Sequence, residues 1–383
     1  MELIKTNKEL KEACKKLNKA KFITIDTEFI REKTYWSQLC LIQVCSGESE
    51  FIIDPLEEDI DLKPFIKLLN KKSILKVFHS GRQDIEIFFK ISGKIPSPIF
   101  DTQIAAMVCG FGDSVGYEKL VDKLLRKKID KSSRFSNWAK RPLTNKQLNY
   151  AIGDVTHLFE IYPILNDALK EKKRTRWLDE ELKILTSENT YNTDPELAYK
   201  RLKIRGYDLK TRGVTFQLAK WREERAQNNN LPRGRVIRDD IIYELSSMKP
   251  KSINEIMGLR SFSNGLRLKE NVINEIQEQI LIGLSLKEEN LPKLPEKRKL
   301  PHGTNSRVSL LKILLNSISE ENEVAQKLIA STQDLEDLIA DDSADIKTLK
   351  GWRYDLFGKK ALDFKNGKVA ITMEENNVIL KYI

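Results

Sequence analysis

An apolar strand that ends in two carboxylates constrains this chain more than any other feature. The segment Lys21–Asp26 (KFITID) has the β-branched character of a buried strand, and Glu28 follows two residues later. Residues two apart in a strand lie on the same face of a sheet, so Asp26 and Glu28 should stand side by side. Neighbouring carboxylates at an apolar strand end repel each other, and a divalent cation is the simplest compensation. The alternative is a pair of solvent-facing acids.

The first half of the chain alternates strands with helices. The apolar runs Leu39–Val44 and Phe51–Asp54 flank a Ser-Gly-Glu turn, which predicts an antiparallel hairpin, and Ile74–Phe78 is a further short strand. Helical spacing is found at residues 7–18, 60–69, 82–89, 102–109, 117–125 and 144–169. The last of these helices should kink at Pro163. This order predicts an α/β domain over residues 1–195, with a mixed sheet flanked by helices.

Beyond Pro195 the strand signal disappears and helical periodicity takes over. We therefore expect two all-α modules, at residues 208–287 and 306–383. A connection rich in proline and charge, residues 288–305, should join them as an exposed linker. The apolar stretch Val369–Thr372 is expected to add one edge strand.

The residue types available limit the kind of metal site that this chain can build. It has three histidines, and its four cysteines lack CxxC spacing, so a site of imidazoles or thiolates is disfavoured. A metal would be held by carboxylates, which favour Mg²⁺ or Mn²⁺. The charged amino terminus and the absence of a long apolar run predict a cytoplasmic protein without signal peptide or membrane span.

The net charge of +10 is concentrated in one part of the chain. Residues 200–270 contain 17 Lys and Arg against 8 Asp and Glu, which accounts for most of the surplus. A local positive charge of this size is typical of proteins that bind nucleic acid. A basic surface that is merely solvated would give the same count, so this observation leaves both interpretations open.

Further acidic residues in the first domain could complete a site around Asp26. Asp84 lies where a buried strand meets a helix, although an acid in a first helical turn also stabilises the helix dipole. Tyr150 and Asp154 are four apart and share one helix face, where a structural hydrogen bond is the alternative. Together these carboxylates could hold two divalent ions for phosphodiester hydrolysis, with Tyr150 orienting or deprotonating the attacking water.

Three segments closely resemble the exonuclease motifs of the ribonuclease D family. The first is IDTEF at residues 25–29, followed by REKTYW at 31–36 and QLCLIQ at 38–43. The second is HSGRQD at residues 79–84, and the third runs from WAKRPLT at 138–144 to YAIGDV at 150–155. The resemblance implies a ribonuclease H-like fold and the DEDD type of 3′→5′ exonuclease. It also implies two divalent metal ions, with Asp26, Glu28, Asp84 and Asp154 as ligands.

The spacing around Asp154 indicates the tyrosine branch of these enzymes. The histidine branch has its histidine five residues before the last aspartate, and Asn149 occupies that position here. Tyr150 stands four residues before Asp154, as the tyrosine branch requires. The resemblance therefore implies Asp26, Glu28, Asp84, Tyr150 and Asp154 as the catalytic residues.

The resemblance extends into the helical part of the chain. Residues 218–226, 232–233 and 239–245 are similar to the HRDC domain, a nucleic-acid-binding helical module, and residues 351–358 are loosely similar to a second HRDC-like unit. Phosphate contacts from basic residues are therefore expected. The candidates are Arg141, Lys200, Arg201, Lys203, Arg205, Arg233, Arg235 and Arg238. For Arg141 the alternative is a salt bridge within its loop.

The implied activity is that of an exoribonuclease, a hydrolase of ester bonds that removes nucleotides from single-stranded RNA 3′ ends as 5′-mononucleotides. Precursors of tRNA are the implied substrates, and we expect a monomer without membrane association. Two other classes remain open. A DNA 3′→5′ exonuclease would share the chemistry, although the chain has no GxxxxGK[ST] motif for a fused helicase. A non-catalytic RNA-binding scaffold would not need the complete set of acids.

Overall fold

The computed structural model describes residues 1–130, 132–204, 208–263, 267–293, 300–375 and 377–383. The chain divides into two compact units. The first, called the nuclease unit here, comprises residues 1–28, 40–190 and 296–383. The second, called the helical unit, comprises residues 29–39 and 191–295.

A mixed six-stranded sheet forms the centre of the nuclease unit. Its strands are β1 (Glu2–Ile4), β2 (Phe22–Ile30), β3 (Gln38–Cys45), β4 (Glu50–Ile53), β5 (Leu75–Phe78) and β6 (Ile99–Asp101), in the order β1-β4-β3-β2-β5-β6. Strand β4 runs antiparallel to β3 and parallel to β1, and β5 runs parallel to both β2 and β6. The mixed sheet and the antiparallel hairpin expected from the sequence are therefore confirmed. The short strands β1 and β6 were not predicted.

Seven helices accompany this sheet: α1 (Asn7–Leu17), α2 (Lys63–Leu69), α3 (Arg82–Ser92), α4 (Thr102–Val108), α5 (Tyr117–Leu125), α6 (Asn145–Glu171) and α7 (Thr175–Leu185). Helix α6 begins at a capping box, in which Thr144 and Gln147 bond each other's backbone N–H groups, and it contains Pro163. The side chain of Thr24 on β2 is fully buried and its hydroxyl donates to the carbonyl of Val155 on α6, at 2.7 Å. This bond fixes the middle of α6 against the strand that carries Asp26.

The carboxyl-terminal module packs within the nuclease unit. Its helices are α14 (Thr304–Glu321), α15 (Gln326–Ile329), α16 (Thr332–Ala340), α17 (Gly351–Arg353) and α18 (Lys359–Lys365). The ring of Trp352 stacks on that of Trp177 from α7, with centroids 4.2 Å apart. Beside this stack, Arg353 forms a buried ion pair with Glu181. The carboxyl-terminal module, which the sequence analysis treated as separate from the α/β domain, thus belongs to the same compact unit as that domain.

The carboxyl-terminal module ends in a β-hairpin, and here the expectation of an all-α module with one edge strand was wrong. Strand β7 (Val369–Glu374) pairs antiparallel with β8 (Asn377–Tyr382). The hydroxyl of Ser317 on α14 donates to the carbonyl of Val378 at 3.1 Å. The second strand escaped prediction because a short strand is stabilised by its partner and by packing more than by its own composition.

The helical unit is built from α8 (Leu209–Asn228), α9 (Arg233–Val236), α10 (Asp239–Met248), α11 (Ile253–Met257), α12 (Arg260–Ser263) and α13 (Glu270–Ser285). Its core includes Trp221, whose indole N–H donates to Glu275 at 2.8 Å. Tyr35, which precedes α8 by more than 170 residues in sequence, is 2% exposed and belongs to the same core. The segment after β2 is therefore an integral part of the helical unit.

Two glycines allow helices α8 and α13 to cross at backbone contact. A Cβ atom on Gly283 would lie 2.6 Å from the Cα of Val214, and one on Gly213 would lie 2.2 Å from the carbonyl oxygen of Gly283. Both distances are far below van der Waals contact, and the atoms that would be met belong to the backbone. No side-chain rotation can relieve such overlap, so any larger residue must push the helices apart.

We expect Gly283→Ala to lower the free energy of unfolding of the helical unit by about 1–3 kcal/mol, the usual cost of overpacking. Urea unfolding followed by circular dichroism measures the loss. Gly234→Ala is the matched control, since a Cβ atom there meets nothing within 4 Å. Equal stability of the two variants would contradict the close crossing.

Candidate active site

Three carboxylates from two distant segments meet at the carboxyl-terminal half of β2, which continues past Asp26 and Glu28 to Ile30, although the sequence suggested that the strand ends near them. Asp26 and Glu28 lie on β2, and Asp154 lies on α6. One oxygen from each carboxylate lies within 4.8 Å of the corresponding oxygens of the other two. The Thr24–Val155 hydrogen bond holds the two elements together directly beside this group. The structure therefore brings together three of the four predicted ligands.

The fourth predicted ligand, Asp84, is outside this close group and is held by its own partner. It lies in the first turn of α3 and is buried, and the hydroxyl of Thr27 donates to its carboxylate. The start of α3 is fixed in turn by Asp101, which accepts hydrogen bonds from the N–H groups of Ser80 and Gly81 at 3.2 and 2.8 Å. Because Thr27 separates Asp26 from Glu28, Asp84 is anchored to the same part of β2.

Burial and mutual repulsion raise the pKa values of these four acids. Desolvation raises the pKa of Asp26 well above its usual range, and the charges of Asp84, Asp154 and Glu28 raise it further. Burial, with repulsion from Asp154 and Asp84, raises the pKa of Glu28 to about 8. Burial also raises the pKa of Asp154 to about 7 and that of Asp84 to about 6, in spite of hydrogen bonds from Tyr150 and Thr27.

The charge of this group fits a hard divalent cation. Among the described residues, no Lys, Arg or His forms an ion pair with the four carboxylates, so most of their mutual repulsion is left to a cation to compensate. Carboxylate oxygens are the ligands that Mg²⁺ and Mn²⁺ prefer. Desolvated, unpaired carboxylates within 4.8 Å of one another are the donor set that such an ion requires.

Tyr150 lies one helical turn before Asp154, close enough to that carboxyl to lower its pKa. Its ring centroid is 6.1 Å from that of the buried Trp138, which helps to fix its position. Burial, together with the charges of Asp154, Glu28 and Asp26, raises the pKa of the phenol above its usual value. The hydroxyl therefore keeps its proton at neutral pH and is available as a donor, which favours an orienting role over that of a base.

A cleft of about 290 Å³ opens beside Asp26 and Asp154 and is lined in addition by residues that the sequence analysis did not single out. The hydroxyl of Tyr117 donates to the backbone carbonyl of Asp154 at 2.6 Å, which positions the ligand-bearing turn of α6. The guanidinium of Arg134 lies close enough to lower the pKa values of Asp154 and Tyr150. No sequence signal marks these two residues, because one acts on a backbone atom and the other lies in an irregular loop.

Arg141 was a candidate for phosphate binding, but its guanidinium is fully used within the fold. Two of its N–H groups bond Asp54, at 2.5 and 2.7 Å, and the others bond the carbonyls of Cys40, Trp138 and Lys140 at 2.8, 2.7 and 3.0 Å. All five donors of an arginine are thereby occupied. These contacts give Arg141 a structural role, although its carboxylate partner is the distant Asp54 and not a residue of its own loop.

Arg233 is also bound within the protein. Its guanidinium donates to the buried Glu223 and, at 2.8 Å, to the hydroxyl of Tyr35, whose ring lies 4.7 Å from the guanidinium carbon. Arg201 lies 3.6 Å from the same carboxylate. The pKa of Glu223 is lowered, because hydrogen bonds from Arg233 and Tyr35 outweigh the opposing effect of burial. These contacts tie the segment around Tyr35 to the core of the helical unit.

The remaining basic candidates differ in their surroundings. Arg238 is paired with Asp240 at 2.9 Å. Exposed side chains without a salt bridge to another described residue are those of Lys200, Lys203 and Arg235. Arg205 lies outside the described residues. Much of the local positive charge is therefore neutralised, and three candidates stay available for phosphate contacts.

Comparison with known proteins agrees with this geometry. Residues 1–170 match the 3′-5′ exonuclease family, and residues 212–269 match the HRDC domain. Ribonuclease D of Nitrobacter hamburgensis is 43% identical over 379 residues, which is 99% of each chain. The chain belongs to the ribonuclease D family. Ribonuclease D of Bartonella henselae is 39% identical, over 100% of this chain and 94% of that protein.

A solved structure of the ribonuclease D family extends the likeness to the whole fold. The crystal structure of Escherichia coli RNase D, an exoribonuclease involved in structured RNA processing, superposes with a TM-score of 0.81. The two share 26% identity over 96% of this chain and 98% of that one. As a member of the ribonuclease D family, the chain is a 3′→5′ exoribonuclease, a hydrolase with an exonuclease domain followed by a helical HRDC region. The alternatives of a DNA exonuclease and of a non-catalytic scaffold gain no support.

None of the helices in the described parts of the chain combines the length and the apolar character that crossing a bilayer requires.

In the absence of divalent cations, we expect the melting temperature to fall as the pH rises from about 5 to 8. Each raised pKa means that the folded protein keeps a proton that the unfolded chain, with carboxyl pKa values near 4, has already lost. This stabilisation is complete below pH 4 and is lost as the pH passes the folded-state pKa values, about 6 for Asp84, 7 for Asp154 and 8 for Glu28. Calorimetry in EDTA measures the effect.

Adding Mn²⁺ should raise the melting temperature more at pH 8 than at pH 5, because protons and cations compete for the same oxygens. Asp26→Asn is the comparison variant, in which both the pH dependence and the response to Mn²⁺ should shrink. A wild-type melting temperature that at pH 8 is the same in EDTA and in Mn²⁺ would contradict the site.

Proposed function

We propose that this enzyme removes nucleotides one at a time from single-stranded RNA 3′ ends and releases 5′-mononucleotides by two-metal-ion hydrolysis. The observation that carries the proposal is the group of Asp26, Glu28 and Asp154, three desolvated carboxylates within 4.8 Å of one another and without an ion pair to another described residue. Such a group has no use in a protein that only binds RNA, because it destabilises the fold unless a cation compensates it.

In this proposal the chain holds two Mg²⁺ or Mn²⁺ ions with four carboxylates. Asp26, Glu28 and Asp154 would hold the ions from one group, and Asp84 would contribute from the adjoining first turn of α3. When bound, such ions would supply activation of the attacking water and stabilisation of the charge on the leaving oxygen. The hydrogen bond from Thr27 keeps the carboxylate of Asp84 turned towards the strand that carries Asp26 and Glu28.

Tyr150 would orient the attacking water. Its hydroxyl keeps its proton at neutral pH, since its pKa is raised, and Tyr150 lines the same cleft as Asp26 and Asp154. A fixed donor beside the reacting phosphate holds the nucleophile in line and supports a developing negative charge. Tyr117 acts one step further away, because its bond to the backbone of Asp154 holds the helix turn from which both Tyr150 and Asp154 project.

The size of the cleft favours removal of one nucleotide at a time. Its volume of about 290 Å³ is at the lower limit of small-molecule pockets, about 300 Å³, which fits a single nucleotide better than a base pair. A paired 3′ end would have to unpair before its last nucleotide could reach the carboxylates. This fits single-stranded ends such as the 3′ trailers of tRNA precursors.

The wider setting follows from the substrate and the site. E. coli RNase D is described as acting in structured RNA processing, and we propose tRNA precursors as substrates of this enzyme as well. The processing of such RNAs would place it in the cytoplasm. The carboxylates of the candidate site all come from a single chain, so a monomer would be sufficient for activity.

We expect Asp26→Asn to abolish the release of 5′-mononucleotides, and Tyr150→Phe to lower kcat by ~10²-fold or more while RNA binding changes little. The measurement is digestion of a tRNA precursor with a 3′ trailer in Mg²⁺ or Mn²⁺, beside a DNA strand of the same sequence. Faster degradation of the DNA would overturn the proposed substrate. A wild type as inactive as Asp26→Asn would overturn the proposed reaction.

The helical unit is proposed to contribute phosphate contacts from Lys200, Lys203 and Arg235. We expect the double variant Lys200→Glu/Arg235→Glu to bind RNA more weakly and to flatten the dependence of log K on log salt by about 0.7 per lost contact. Filter binding of a catalytically inactive form between low and moderate salt measures both. Arg176→Glu is the control for charge reversal, as its side chain is 89% exposed and lies on α7. Equal salt slopes in all forms would contradict the assignment.

A further inference from the structure

Phe135 is the most exposed large apolar side chain of the described residues, with 92% of its surface open to solvent. It lies in the loop between α5 and α6, directly after Arg134, which lines the cleft beside Asp26 and Asp154. An aromatic ring in water contributes nothing to the stability of the fold and costs solvation. Its place beside the cleft suggests a ligand that covers the ring.

The loop that carries Phe135 is held in shape by its own hydrogen bonds. The N–H of Ser132 donates to the side chain of Asp130 at 2.8 Å, and the N–H of Ser136 donates to the carbonyl of Ser133 at 3.0 Å. Ser133, which precedes Phe135 in the sequence, and Trp138, which follows it, are both buried. Two buried anchors thus fix a short exposed turn, whose tip presents Arg134 and Phe135.

Arg134 connects this tip with the reacting groups. The carbon of its guanidinium lies 5.4 Å from the ring centroid of Phe135, which is within the range of a cation–π contact. The same guanidinium lowers the pKa values of Asp154 and Tyr150, so its charge reaches the carboxylate group. No salt bridge to another described residue uses it, and it lines the cleft beside the carboxylates, where a polyanion could meet its positive charge.

We propose that Arg134 and Phe135 form a nucleotide-binding platform at the mouth of the cleft, on which the last bases of the RNA are received. Phe135 stacks on the base that immediately precedes the scissile phosphate, and Arg134 bonds the backbone phosphate next to the scissile one. This platform rests on the proposed exonuclease function and adds a contact that acts on RNA outside the cleft. Every base has an aromatic face, so such a platform accepts any sequence, as stepwise trimming of an RNA end needs.

A protein partner could also cover an exposed phenylalanine beside an arginine. The observations favour RNA, because Arg134 lines the cleft that contains Asp26 and Asp154, and Phe135 is its direct neighbour in the chain and lies within cation–π distance of it. The two occupants differ in a measurable way. Only RNA binding makes the effect of Phe135 depend on one particular base of the substrate.

The test combines protein variants with substrates that lack single groups. A short single-stranded oligoribonucleotide is compared with versions in which one of the last three nucleotides is abasic, and kcat/KM for removal of the last nucleotide is measured. For the wild type, loss of the base that precedes the scissile phosphate should lower kcat/KM by about 5- to 100-fold, the usual value of base stacking on an aromatic side chain. Phe135→Ala should lower kcat/KM on the intact RNA by a similar factor. On the abasic RNA its kcat/KM should be no lower than that of the wild type.

Arg134 is tested in the same way with a neutral methylphosphonate in place of the phosphate next to the scissile one. Arg134→Gln and this substitution should each reduce kcat/KM, and together they should reduce it no more than either alone. Phe135→Trp, which keeps an aromatic face, should retain most of the activity on intact RNA. Ile184→Ala is the control, since Ile184 is 61% exposed on α7 and belongs to no part of the proposed site.

The outcomes separate this inference from the function on which it rests. If the wild type does not shorten RNA at all, the proposed function fails. Suppose instead that the wild type shortens RNA but the losses in kcat/KM add up, either for Phe135→Ala on the abasic RNA or for Arg134→Gln on the methylphosphonate RNA. Then the platform is wrong and the proposed function stands. The same holds if Phe135→Ala and Ile184→Ala have equal kcat/KM. Non-additive losses at the stated base and phosphate support the platform.

Discussion

Repulsion between buried carboxylates is the constraint on which the rest of this molecule depends. Asp26 and Glu28 cannot turn away from each other, because the strand that carries them fixes both on one face, and Asp154 is held against them by the bond between Thr24 and Val155. The protein supplies a hydrogen bond from Thr27 to Asp84 but no salt bridge to these groups among the described residues. The sheet and helix α6 therefore keep in place an arrangement of carboxylates that is unfavourable without a compensating cation, and the proposed catalysis would use its affinity for positive charge.

The sequence was informative where periodicity and spacing decide the outcome. The two-residue spacing of Asp26 and Glu28 predicted their shared face, and the four-residue spacing of Tyr150 and Asp154 predicted their contact. The mixed sheet followed from the order of apolar runs. In contrast, no pattern marks Tyr117, whose partner is a backbone carbonyl, or Thr24, whose hydroxyl reaches an atom 131 residues away. The second strand of the terminal hairpin was missed for a similar reason, since its partner strand stabilises it.

The positive charge of residues 200–270 shows that composition can indicate a class of ligand without showing which basic residues are available to it. Arg222 and Arg225 are paired with Asp239 and Glu275, and Arg233 with Glu223. Arg141, which lies outside this stretch, donates all its hydrogen bonds to Asp54 and to backbone carbonyls. A count of charges cannot distinguish an arginine that holds two segments together from one that faces solvent. That distinction depends on tertiary contacts, which only the folded chain supplies.

The place of Tyr35 in the core of the helical unit has a consequence for the modular view of this chain. Its hydroxyl bonds both Glu223 and Arg233, and its ring is almost wholly covered, although it is encoded in the middle of the exonuclease sequence. A fragment that begins after residue 190 would lack one side of its own core, and a fragment that ends there would leave an aromatic side chain uncovered a few residues from Glu28. The helical unit therefore cannot be transferred to another protein as residues 191–295 alone. A fusion or a domain transplant would have to include the segment around Tyr35.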